Sequence, residues 1–145
     1  MPAGYISSPQ AVVFILYSIA MIIFCTHCWE EIDASLELCP ICGASSEVDV
    51  RSYQEKLIGA LSHPLVSTRA RICWLLGENK VKEAVPALIQ VAESDPDIYV
   101  QKAALEALGT LHDGRAVPLL AQVGNGSNRF LAAAAQKSLE SYITR

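Results

Sequence analysis

Residues 95–109 read Asp95-Pro96-Asp97-Ile98-Tyr99-Val100-Gln101-Lys102-Ala103-Ala104-Leu105-Glu106-Ala107-Leu108-Gly109. The two aspartates around the proline suit a turn followed by a helix cap, not acid–base work. Behind them, Val100, Ala104, Leu105, Ala107 and Leu108 fall on one side of a helix. The stretch has counterparts at a spacing of 32 residues: Pro64 matches Pro96, Gly77 matches Gly109, Ala84-Val85-Pro86 matches Ala116-Val117-Pro118, and Val91 matches Val123. A period in this range marks a solenoid in which each unit is one pair of helices. The spacing predicts pairs over 53–62 and 65–76, 82–93 and 98–111, and 116–123 and 129–143. Leu57, Ile58 and Leu61 line one first helix, and Leu88, Ile89 and Val91 the next. Pro64 and Pro96 are expected in the short turns between paired helices, where proline suits a helix start, and Gly77 and Gly109 at helix ends, where glycine relieves the left-handed cap.

The third unit lacks one residue in its turn, Gly124-Asn125-Gly126-Ser127-Asn128, so Leu131, Ala135 and Leu139 match Val100, Ala104 and Leu108 at an offset of 31. It ends in the polar Glu140-Ser141-Tyr142, as a capping repeat should. Residues 95–109 resemble the HEAT-like repeat, of the type found in phycobilisome (PBS) lyases, whose pattern is D-P-D-x-x-V-R-x-x-A-A-x-A-L-G. Gln101 departs from the usual arginine, which Arg69 keeps in the first unit. Leu65 there replaces the second aspartate. The resemblance covers residues 53–143. It implies a mainly α fold, a short solenoid of three helix pairs whose second helices line a concave side. Exposed positions on those helices are then Ala70, Arg71 and Trp74, Lys102, Ala103 and Glu106, and Ala133, Ala134 and Lys137. Arg71, Trp74, Lys102, Glu106 and Lys137 are the candidate partner-binding residues. Trp and Arg are frequent interface anchors. The alternative for Trp74 is packing against Tyr53 or the linker that precedes the repeats. Cys73 occupies a core alanine position and reads as a small buried hydrophobe.

Ahead of the repeats, Cys25-Thr-His-Cys28 and Cys39-Pro-Ile-Cys42 form two C-x-x-C pairs. Four thiolates in two such turns suit a tetrahedral zinc ion, and four protein ligands close the site, making it structural and not catalytic. Two disulfides or a redox pair are the alternatives, but neither a secretory context nor a βαβ setting accompanies them. The expected ribbon runs Trp29 to Ile32 out, turns at Asp33-Ala34-Ser35, and returns through Leu36 to Leu38. Gly43 is expected in a left-handed conformation. Residues 21–44 resemble the short zinc ribbons of bacterial proteins, FCxxCGxxIxxxxxFCxxCG. Phe24, Ile32 and Gly43 fall on that pattern, while Trp29 replaces a glycine and Leu38 a phenylalanine. This resemblance implies a metal-stapled module often used for protein contact.

Residues 11–24 carry no charge. Three readings compete for residues 1–20. They are an extension ahead of a true start at Met21, a membrane anchor through residues 5–24, or a buried helix or other signal. MIIF as the first ribbon strand favours Met21, because an anchor reaching Phe24 would leave that strand no room. The organisation is then a leader over 1–20, a ribbon over 21–46 and repeats over 51–145, in a cytoplasmic protein.

The composition, 52% hydrophobic and 18% charged, excludes a disordered chain. All 11 Lys and Arg lie beyond residue 50, while Glu30, Glu31, Asp33, Glu37, Glu47 and Asp49 precede it. The acidic ribbon argues against a nucleic-acid-associated factor. His63 and His112 lack a nucleophile or paired carboxylate at helical spacing, so neither supports catalysis. These residues point to a non-catalytic adaptor that binds a protein or peptide on the concave face. A chromophore-attachment role like that of bilin lyase subunits is the alternative, and a nucleic-acid role the second.

Overall fold

The computed structural model describes residues 21–46 and 50–144. The expectations for residues 1–20 lie outside these. The chain divides into two compact units, residues 1–49 and 50–145. Among the described residues no helix is long and apolar enough to cross a membrane.

In the first unit, β1 (Ile22–Phe24) pairs antiparallel with β2 (Glu31–Asp33), Ile23 standing opposite Ile32. MIIF therefore does supply the first strand. The expected pairing of 29–32 with 36–38 does not form; Leu38 instead bridges to Ser45. Each C-x-x-C pair thus sits at the tip of its own pair of extended segments. Cys25 N–H donates to Glu30 O and Cys39 N–H to Ala44 O, closing the two tips alike. The local reason is geometric: a cysteine turn holds its amides toward sulfur only when the chain on both sides is fixed. Asp33 Oδ1 accepts from the amide and hydroxyl of Ser35, which makes the turn expected there. The small core is Cys25, Ile32 and Cys39, with Ile23, Cys28 and Ala44 against it.

The second unit holds six α-helices among the described residues. They are α1 (Tyr53–Gly59), α2 (Val66–Glu78), α3 (Val85–Ser94), α4 (Ile98–Leu111), α5 (Val117–Gly124) and α6 (Arg129–Ile143). Ser52 and Glu55 form a reciprocal capping box at α1. Asp97 and Asn128 cap α4 and α6, each accepting from two amides of the first turn. The helix-start prolines are Pro86 and Pro118, in the first turns of α3 and α5. Pro64 and Pro96 lie in the turns between paired helices, as expected. Helices α2, α4 and α6 pack side by side, and each is also in contact with the first helix of its own pair. Leu76, Leu88, Leu105, Leu108, Leu120, Val81, Val85, Val100 and Cys73 are fully buried between them.

The glycines do a different job from the one expected. Gly77 and Gly109 lie inside α2 and α4, not at left-handed ends. A Cβ on Gly109 would stand 2.7 Å from Ser138 Cβ, and one on Gly77 3.2 Å from Ala107 Cα. They let neighbouring helices approach. The left-handed residues are Lys80 (φ 53°) and His112 (φ 50°), which are repeat equivalents three positions later.

Candidate functional site

The ribbon brings Cys25, Cys28, Cys39 and Cys42 together, with all four sulfurs within 4.8 Å of one another. Cys25 Sγ lies 3.6 Å from Cys42 Sγ, and Cys28 Sγ 3.6 Å from Cys39 Sγ. A disulfide needs about 2.05 Å, so the sulfurs are not bonded. A tetrahedron of thiolates about 2.3 Å from a central ion has edges of about 3.8 Å, and the two 3.6 Å separations are close to that. Amides point inward as well: His27 N–H donates to Cys25 Sγ. The amides of Cys28 and His27 hold the Cys25 thiol down at about 6. The Glu30 amide also pulls on Cys28, but burial and the neighbouring thiols outweigh it and push that thiol up to about 12. One ready thiolate crowded by thiols that resist ionising is a donor set that a divalent cation can satisfy. His27 is exposed, as expected of a residue that four cysteines leave out of the set.

Trp29 and Gly43 each follow the second cysteine of a pair, and both are left-handed, at φ 66° and φ 73°. The amide of each closes its turn on the carbonyl of Cys25 or Cys39. The glycine of the ribbon pattern therefore has a conformational reason, and Trp29 holds the position against it.

On the repeats, Arg71, Trp74, Glu106 and Lys137 are exposed, and Lys102 is half-buried. Trp74 is 53% exposed, so about half of its surface is open. Glu106 and Lys137 line a shared groove of about 470 Å³ with Thr110, His112 and Ser141. Lys102 is not an idle cation: its Nζ lies 2.9 Å from Glu106 Oε1 and 5.9 Å from the centre of the Phe130 ring. Ala134, expected at the surface, is buried.

Two features escaped the sequence reading. Tyr99 and Phe130 are 66% and 40% exposed and meet edge to face at 5.4 Å. They stand at equivalent positions of successive second helices, at the same offset of 31 that aligns the third repeat, and that alignment was the available signal. The second is a buried bridge between repeats. Arg69 Nε and Nη2 donate to Asp95 Oδ2 and Oδ1 at 2.8 and 3.0 Å, and its Nη1 reaches His63 O and Pro64 O. The hydrogen bond to Asp95 raises the Arg69 pKa further. Gln101, the Arg69 equivalent, donates only to Asp95 O within its own repeat. The turn ahead of α6 contains no acid, so no arginine is called for there.

The histidines serve the fold. His63 Nδ1 accepts from the Leu65 amide. The His112 ring nitrogens face Thr110 O and Ser141 O at 3.0 and 2.9 Å, tying α4 to α6. Burial pushes the Cys73 thiol up to about 12, which makes it inert.

A stack of paired helices in register is the architecture of a helical-repeat protein. Residues 55–140 match the HEAT repeats family, and the chain belongs to it. No curated protein matches the chain. Among solved structures, it is similar to a chain from the complex of CpcE and CpcF of phycocyanin lyase from Nostoc sp., at 30% identity and a TM-score of 0.58. That likeness covers 74% of this chain and 42% of the Nostoc chain, so the present chain spans less than half of its relative's length.

Proposed function

We propose that the protein is a non-catalytic adaptor that holds a protein partner on the exposed face of α2, α4 and α6. The observation that carries this reading is the exposure of Trp74, Tyr99 and Phe130 on three successive second helices. Large apolar side chains left open on a repeat array mark contact surfaces. Arg71, Glu106 and Lys137 surround them, and Lys102 pairs with Glu106 in the middle of the face. A complex-forming relative among the lyases agrees with a protein partner. The ribbon, in this reading, holds one zinc ion through Cys25, Cys28, Cys39 and Cys42. Thiolates select zinc over the hard cations, and the closed set makes the ion structural. A photo-crosslinking residue at position 74 tests the adaptor: it should capture a defined partner that the same residue at Gln90, an exposed position on α3, does not. Equal capture from both positions would count against the face.

A second reading follows from the Nostoc relative: the chain is part of a lyase that joins a chromophore to a protein. The test is to incubate the chain with a phycocyanin subunit and free bilin and look for a covalent adduct. An adduct that requires the chain would establish this reading over the adaptor.

A further inference from the structure

Successive side chains of a strand point to opposite faces. In the ribbon hairpin, Ile23 and Ile32 stand opposite one another and turn inward, against the cysteine cluster. The same register sets Ile22 beside Asp33 and Phe24 beside Glu31 on the outer face. Ile22 and Phe24 are 62% and 61% exposed. Leu38, which precedes Cys39 as Phe24 precedes Cys25, is open to the same extent. Adjacent exposed apolar side chains rimmed by polar ones mark a contact surface.

The charges decide what covers it. Residues 21–46 hold Glu30, Glu31, Asp33 and Glu37 and no Lys or Arg. His27 is the one side chain there that can turn positive. Glu30, Glu31 and Glu37 are exposed. Asp33 accepts from Ser35 through Oδ1 and stays ionised. A second copy of the chain would bring the same carboxylates against these, and a nucleic acid would bring phosphates. Both meet like charge, whereas a partner carrying Lys or Arg meets the opposite sign.

We propose that the outer face of the hairpin is a second contact surface, and that it takes a basic protein segment whose Lys or Arg side chains stand beside large apolar ones. The apolar side chains seat on Ile22 and Phe24, and the cationic groups meet Asp33 and Glu31 one strand away. The four side chains span about 7 Å along the strands and about 5 Å across them. A segment of about four to six residues covers that area. The proposal does not depend on the reading of the repeat face.

The test is a displayed library of random peptides selected against the full zinc-loaded chain. Enriched sequences should combine Lys or Arg with aromatic or aliphatic residues. Their affinity should fall at least tenfold in Ile22→Thr/Phe24→Thr, which keeps good strand formers in β1, and in Glu31→Gln/Asp33→Asn. It should also weaken as salt rises. Trp74→Ala and Tyr99→Ser/Phe130→Ser should leave it unchanged. Zinc content measured on each variant reports whether the ribbon is intact, and the carboxylate variant decides alone if the apolar one loses its metal. Acidic or uncharged enriched sequences, no enrichment at all, or peptides that bind the ribbon variants as tightly as wild type would overturn the proposal. Peptides lost only in the repeat variants would also overturn it and would support the repeat face instead. A concentration-dependent dimer that the ribbon variants abolish would overturn the basic segment in favour of a second copy.

Discussion

Replacing Arg69 by Ala should destabilise the repeat array by about 3 kcal/mol. The side chain is 11% exposed and its partner Asp95 6% exposed, so the pair lies largely out of water. Removing one member of a buried, hydrogen-bonded pair costs about 3–5 kcal/mol, because the other is left buried and charged. The lower end applies here, since Asp95 Oδ1 still accepts from the Asp97 amide. His63 O and Pro64 O lie at a turn that water reaches. For an array of this size, about 1 kcal/mol moves the melting temperature by about 4–8 °C, so the expected fall is about 12–24 °C. The assay is thermal melting followed by helical circular dichroism on the zinc-loaded chain. Asp95→Asn, which keeps one acceptor oxygen, should cost about 2 kcal/mol. The double variant Arg69→Gln/Asp95→Asn should lose much less than the sum, because it removes the charge from both sides, as at Gln101. A fall below about 4 °C for Arg69→Ala, or strictly additive losses in the double variant, would refute the bridge as the tie between repeats.

Gly109→Ala should destabilise by about 1–3 kcal/mol, because its Cβ would stand 3.0 Å from Ser138 Cα and α6 must shift; Gly114→Ala, with nothing within 4 Å, should leave the melting temperature close to wild type. Thiol titration of the native, chelator-treated protein at pH 8 should count four reactive cysteines, with Cys73 reacting only after denaturation, because it is buried and raised to about 12. Arg115 holds the Asp113 carboxyl down at about 2, against an ordinary 3.8. Its contribution is therefore complete above about pH 4 and lost as pH falls toward 2, so wild-type and Asp113→Asn melting temperatures should converge across that window. Elemental analysis should find one zinc per chain, and a chelator should unfold residues 21–44 while leaving the helical signal in place.

The helix pairs were legible because a 32-residue period repeats both turns and apolar faces, and each boundary is stated more than once. The cysteine set was legible for a similar reason, since two identical spacings agree. The roles of Gly77 and Gly109 were not legible. A glycine near the end of a helical run reads alike whether it caps the helix or admits a neighbour, and only the distance to Ser138 or Ala107 decides. The ribbon register was misjudged because the gap between the pairs is long enough for a hairpin, while the strands that form flank each pair separately. The Arg69–Asp95 bridge spans 26 residues and follows no local rule. Yet Gln101, set beside a following turn without acids, carried a trace of it. Tyr99 was hidden inside the repeat motif, where its partner Phe130 becomes visible only at the shifted offset.

The adaptor reading stands most directly on a paired measurement with Trp74→Ala: binding of the crosslinked partner and thermal melting on the same preparation. At 53% exposure about half of the side chain is open to a partner, and a partner that buries it gains about 2 kcal/mol or more. The account predicts affinity reduced about thirtyfold, with the melting temperature lowered by no more than about 5 °C. A melting temperature lowered by 10 °C or so, with affinity per folded molecule unchanged, would contradict it and place Trp74 among the packing residues.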